Sequence, residues 1–127
     1  MSKDLPKPFN GAVFYEDSLV YAALANYPIT PGHAVVVWKK RVKDVHLLSR
    51  SEYEHLMDVV DRVRSAMLKV LRLKKIYLLY LDEVLHVHWH LIPRYHKQGF
   101  TVLEEKPGKL TDFSLVLKLK QEMTRRK

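Results

Sequence analysis

The fold class this sequence predicts is α+β: an antiparallel five-stranded sheet with one long helix and a C-terminal helix. Three observations point to it. One central segment repeats its apolar residues at helical spacing. Short β-prone runs lie on both sides of it. The order is strands, helix, strands, helix, and a single central helix is too isolated for a doubly wound parallel sheet. The 127 residues, 47% of them hydrophobic, suit one domain with a real core. That domain is expected to run over 1–127, with residues 1–10 a loose lead-in containing Pro6 and Pro8, and 124–127 a frayed basic tail.

In chain order, Ala12 to Tyr15 and Leu19 to Leu24 flank Glu16-Asp17-Ser18 and predict a hairpin. Asn26-Tyr27-Pro28-Ile29-Thr30-Pro31-Gly32 is a turn-rich loop. His33 to Trp38 is rich in β-branched residues and predicts a buried strand. Leu56, Val59, Val60, Val63, Met67, Val70 and Leu71 form one apolar helix face. Ser49 and Glu52 have the form of a capping box at its start. Ile76 to Leu81 and His86 to Ile92 predict two more strands, joined through Asp82 to Leu85 as a hairpin. A second helix is expected from Asp112 to Met123, with Thr111 as its cap.

The sequence contains no cysteine, which excludes a disulfide scaffold, a thiolate zinc site and a cysteine nucleophile. The longest apolar stretch, Ile76 to Leu81, is far too short to span a bilayer, and the first residues carry no signal-like apolar run. A cytoplasmic protein without a membrane partner is the expectation. Lys and Arg total 22 against 14 for Asp and Glu, a net charge of +8 that favours anionic partners. The basic residues are scattered, and no nucleic-acid-binding module is evident, so nucleic acid ranks low as a partner. Arg94 and Lys97 are the cations nearest in sequence to anything resembling chemistry.

That chemistry is in His86-Val87-His88-Trp89-His90-Leu91-Ile92. Residues two apart on a strand share a face, so three imidazoles are expected in a row on a solvated face, with Val87, Trp89 and Leu91 in the core. A row of titratable rings marks a site. The outer two lie about 13 Å apart at strand rise, too far to converge on one ion. No metal is therefore expected among the site residues, and separate catalytic duties along a bound substrate are preferred.

The pattern H-φ-H-φ-H-φ-φ, with φ apolar, resembles the signature of the histidine triad family. Pro93-Arg94-Tyr95 after it resembles the branch of dinucleoside polyphosphate hydrolases, and Pro31-Gly32-His33 with the strand that follows resembles a second family motif. The resemblance covers roughly residues 10–100. It implies a two-fold homodimer whose sheets join into one of ten strands. It also implies hydrolysis at the α-phosphate of a nucleotide, most simply a dinucleoside polyphosphate of the diadenosine tetraphosphate type. By that resemblance His88 is the nucleophile and forms a nucleotidyl-histidine intermediate. His90 donates to a phosphate oxygen or the leaving group, His86 orients its neighbours, and His33 contacts the phosphate or assists departure. Relatives that transfer uridylyl groups carry Gln where this chain has His90, which favours hydrolysis. No covalent cofactor is implied, and Mg²⁺ would enter with the substrate phosphates.

Two positions depart from the family pattern. Relatives hold the ribose with Asn or Asp where this chain has Ala25, leaving Asn26 beside it as the candidate. Asp82 and Glu83 stand where relatives carry amide or hydroxyl donors, and their charge would repel a phosphate unless Mg²⁺ intervenes. Phe14, Leu24 and Ile29 are candidates for a base pocket, and His96 for a polyphosphate contact; His46 and His55 are expected to be bystanders. Two alternatives stay open beside hydrolysis of polyphosphates: a nucleoside phosphoramidase, and a nucleotide-binding dimer of weak activity.

Overall fold

The structure is a computed structural model and describes residues 4–125. Its five strands are β1 (Val13–Glu16), β2 (Val20–Leu24), β3 (Ala34–Trp38), β4 (Ile76–Tyr80) and β5 (His88–Pro93). They form one sheet in the order β1-β2-β3-β5-β4, antiparallel at every pairing. The β1–β2 hairpin closes around Asp17. Its Oδ1 accepts the N–H groups of Leu19 and Val20 at 2.8 Å each, and its Oδ2 faces the Tyr15 hydroxyl and His55 Nε2 at the same distance. Because His55 belongs to the central helix, this one carboxylate fastens the hairpin to it. His46, the other expected bystander, pairs with Asp44 at the surface.

The central helix, α1 (Arg50–Leu71), begins in the expected capping box. Glu52 N–H donates to Ser49 Oγ at 3.2 Å, and Ser49 N–H donates to Glu52 Oε1 at 2.8 Å. Two of the helix's four unsatisfied amide donors would otherwise need water. Leu56, Val59, Val60, Val63, Ala66 and Met67 are buried against one sheet face, with Val70 and Leu71 partly buried beside them. The facing sheet residues include Val20, Ala22, Val36 and Leu91. The second helix, α2 (Leu115–Arg125), buries Leu119 and Met123, and its buried Glu122 lies 3.6 Å from Lys69 of α1.

Several boundaries differ from expectation. The second helix starts at Leu115 rather than Asp112, and Thr111 does not cap it. Asp112 instead accepts the Ser114 N–H at 2.9 Å, a local turn that competes with the helix. Thr124 and Arg125, expected in a frayed tail, are helical; Arg126 and Lys127 lie outside the described residues. A 3-10 segment at Gly99–Glu104, unforeseen in the sequence, covers the β4–β5 end of the sheet. No helix among the described residues is long and apolar enough to cross a membrane.

Ser49→Ala removes one half of the capping box and should lower stability by about 1 kcal/mol. Urea denaturation should show a lower midpoint with an unchanged slope. An unchanged midpoint would mean that water satisfies the freed N–H equally well.

Candidate active site

Alternation along β5 turns His88 and His90 to the face opposite α1, and antiparallel register carries that face across the sheet. His88 stands opposite Val37, His90 opposite Val35, and Val37 opposite Tyr21. His33, one residue before β3, shares the face of Val35 and Val37 by the same two-residue period. A cavity of about 190 Å³ opens there, bounded by His33, His88, His90, Tyr21, Val35 and Val37 together with Leu24, Ala25, Asn26 and Tyr27.

The loop before β3 fixes His33. Gly32 adopts φ +85°, a conformation that favours glycine, and a Cβ there would press on Leu71 Cδ1 at 3.0 Å. Thr30 Oγ1 donates to Pro93 O at 2.8 Å, and the Tyr95 hydroxyl donates to Pro31 O at 2.5 Å. These bonds tie the loop to the end of β5, so His33 and His90 are held by one framework.

The hydrogen bonds determine where the ring protons sit. Ile29 N–H donates to His33 Nδ1 at 3.0 Å, so that nitrogen carries no proton. A neutral His33 is then protonated at Nε2, which lies 3.0 Å from His90 Nδ1 and donates to it. His90 must therefore carry its own proton on Nε2. Separately, His88 Nδ1 lies 2.7 Å from the carbonyl oxygen of His86 and must donate to it. His88 Nε2 is left with a free lone pair. One cavity thus holds an imidazole acceptor, His88 Nε2, and an imidazole donor, His90 Nε2–H, with the two rings 5.0 Å apart.

Electrostatics keep the rings neutral. Burial, followed by the neighbouring His90, pushes His33 down to about 3. Burial, followed by the neighbouring His88, pushes His90 down to about 4. His88 is also lowered, mainly by burial, against the opposing pull of the His86 carbonyl and the Asp82 charge. Geometry agrees: a proton on His33 Nδ1 would face the Ile29 N–H, and one on His90 Nδ1 would face the His33 N–H.

The arrangement corrects several expectations. The histidine face is not solvated, since His33 is 3% and His88 5% exposed. His86 precedes β5 and does not line the cavity; its ring bonds Trp38 O at 2.6 Å, and it reaches His88 through its backbone carbonyl alone. Phe14 lies in the core under the helices, because β1 turns that side chain away from the histidine face. Ile29 and His96 line a neighbouring hollow, across the loop from the cavity. Arg94 faces the Tyr77 hydroxyl at the far end of β5, and Lys97 pairs with Glu105 at 2.6 Å, so neither cation lines the cavity. Asp82 sits beside Asp44 and acts on His88 only through its charge; Glu83 is exposed. Trp89 is half-buried, its ring 5.0 Å from that of Tyr80. Leu24 is brought to the cavity as expected. Asn26 reaches it too, but its amide is engaged by the lead-in. Tyr21, Val35 and Val37 were missed, although the alternation starting at His33 already placed the two valines on its face.

A family model described as the HIT domain matches residues 8–97. The chain belongs to the HIT family, the histidine triad proteins. Among its relatives is an uncharacterised HIT-like protein of Borreliella burgdorferi, 30% identical over 96 residues and covering 68% of each chain. Two solved structures share the fold. A hypothetical histidine triad nucleotide-binding protein of Sulfolobus tokodaii is 22% identical with a TM-score of 0.73, over 90% of this chain and 84% of that one. The diadenosine triphosphate hydrolase of Plasmodium falciparum, crystallised with cyclomarin A, is 18% identical with a TM-score of 0.75, over 97% and 83% respectively.

Neutral buried histidines make stability depend on pH. The unfolded chain binds protons at these rings near pH 6.5, whereas folded His90 resists to about 4 and His33 to about 3. Stability is therefore full above pH 6.5 and falls as the pH drops below it, by about 1.4 kcal/mol per pH unit for each ring. Denaturant midpoints measured at pH 7 and pH 5 should show the loss, and His33→Phe should reduce it. A midpoint constant across that range would contradict the assignment of neutral rings.

Proposed function

We propose that this protein is a nucleotide hydrolase that cleaves at an α-phosphate, with dinucleoside polyphosphates of the diadenosine tetraphosphate type as substrates. The observation carrying this reading is the pairing of a free lone pair on His88 Nε2 with a donor on His90 Nε2–H in one cavity. A nucleophile needs the first, and a phosphoryl oxygen gaining charge needs the second. Support also comes from family membership and from the Plasmodium relative, which is a diadenosine triphosphate hydrolase.

In this reading His88 Nε2 forms a bond to the α-phosphorus as the bond to the bridging oxygen breaks. The polyphosphate leaves, and the nucleotide remains on His88. Water then attacks the same phosphorus, the N–P bond breaks, and nucleoside monophosphate departs. The His86 carbonyl holds the Nδ1–H of His88 and stabilises the cationic ring of the intermediate. His90 touches the phosphate, while His33 acts through His90 and is a positioning residue. Mg²⁺ enters only as a companion of the substrate phosphates. The Asp82 charge favours the runner-up reading, a nucleotide-binding protein of weak turnover, because a carboxylate near the site opposes a phosphate.

The test is a panel of dinucleoside polyphosphates, adenylyl-lysine and nucleotide sugars, with products separated by chromatography. Wild type should release AMP from diadenosine tetraphosphate. His88→Ala should lose at least a thousandfold in turnover while keeping its fold. Equal turnover by that variant would overturn the mechanism, and tight binding without product would select the runner-up. Cleavage of adenylyl-lysine alone would select a phosphoramidase.

The same reading makes the protein a homodimer in which β4 pairs with its copy across a two-fold axis. Support comes from the sheet order, which leaves β4 at an edge, and from Leu78, Leu81 and Leu85, each more than 40% exposed along or just beyond it. Sedimentation should find a dimer, and Leu78→Lys should shift it towards monomer. A wild-type monomer would overturn this assembly.

A further inference from the structure

Residues Asp4 to Pro8 cross one side of the histidine cavity, where Leu5, Pro6 and Pro8 form part of its wall. Asn26 ties this strap at two points: its Nδ2–H donates to Lys7 O at 2.8 Å, and its Oδ1 accepts the Phe9 N–H at 3.0 Å. Asp4 forms an exposed ion pair with Arg41, a type worth little in water. Pro6 and Pro8 have no N–H to donate, and the segment has no regular secondary structure.

Its far end is fixed. The Phe9 ring meets Tyr27 edge-on at 6.2 Å with the Lys109 ammonium 5.6 Å from its centre, and Phe9 O accepts the Ala12 N–H at 3.0 Å. Asn26 O accepts the Leu110 N–H at 2.8 Å, so the latch residue's backbone is anchored independently of the strap. With the strap seated, the cavity measures about 190 Å³ and His88 is 5% exposed. Pockets that enclose small-molecule ligands hold about 300–1,000 Å³. The volume beside the seated strap lies below that range.

We propose that residues 4–8 are a gate over the histidine cavity, latched by Asn26 and pivoting at Phe9, which must swing out before a nucleotide enters. The inference rests on the nucleotide reading for its ligand, but not for the gate itself. Free protein then divides between closed and open forms, and only the open form binds, which lowers apparent affinity by the open fraction. Asn26 biases that fraction because its Nδ2–H bond to Lys7 O breaks when the strap leaves, while its bond to Phe9 holds the pivot.

The experiment compares wild type, Asn26→Ala and Leu5→Ala as full chains. One readout is the rate at which diethyl pyrocarbonate modifies His88, followed by peptide mass spectrometry without nucleotide. The other is AMP affinity by calorimetry. Asn26→Ala should accelerate modification and tighten AMP binding by about fivefold, the equivalent of one net hydrogen bond. Leu5→Ala, which leaves the latch in place, should shift both in the same direction by less. An unchanged modification rate in both variants overturns the gate. Faster modification with weaker AMP binding also overturns it, because the strap would then be a permanent wall of the site. Faster modification with no AMP binding by any form supports the gate and defeats the nucleotide reading.

Discussion

A backbone N–H can only donate and a backbone C=O can only accept. That asymmetry, applied at two points, sets the chemistry of the cavity. The Ile29 N–H forbids a proton on His33 Nδ1, and the His86 carbonyl demands one on His88 Nδ1. Between them, the protonation of three rings is dictated by main-chain groups that cannot change sense. The remaining structure serves to hold those groups in register. Gly32 sets the loop that brings Ile29 to His33, Thr30 and Tyr95 bind that loop to β5, and β3–β5 pairing aligns His88 and His90 with the valines of β3.

Burial completes the arrangement. An imidazolium in this cavity would lose solvation without gaining a carboxylate partner, so the rings stay neutral and the lone pair on His88 stays available. The net positive charge of the chain has little to do with this. Arg94 turns to Tyr77 and Lys97 to Glu105, leaving the cavity walled mainly by apolar and aromatic groups beside the histidines. Attraction of an anion is thus left to the overall field of the molecule and to the donor on His90, not to a cationic clamp.

Much of the fold was legible because it depends on short-range pattern. The α1 boundaries followed from the Ser49–Glu52 box and a regular apolar face, and all five strands from alternation and β-branched runs. His88 and His90 were legible for the same reason. Expectations failed where an extended pattern was carried past the point at which another contact took over. His86 continues the alternation in sequence, but its ring is captured by Trp38 O, and pairing begins at His88 with β3 and at Trp89 with β4. Phe14 was a reasonable pocket residue by composition, yet the facing of β1 sends it to the core. Residues 1–10, with Pro6 and Pro8, read as a loose lead-in, yet Asn26, seventeen positions or more away, bonds Lys7 and Phe9.

By itself, then, the amino-acid sequence determined the class of fold and the strand carrying the histidines, because helix and strand periodicities are local properties of the chain. The tertiary structure decided everything that requires two distant segments to meet. It paired His33 with His90, chose the tautomer of each ring, and directed Arg94 away from the cavity. It also laid Leu5, Pro6 and Pro8 along one wall of the cavity. Those outcomes turn on hydrogen bonds whose direction is set only once the loop before β3 and the strand β5 are folded against each other, and no periodicity along one segment encodes them.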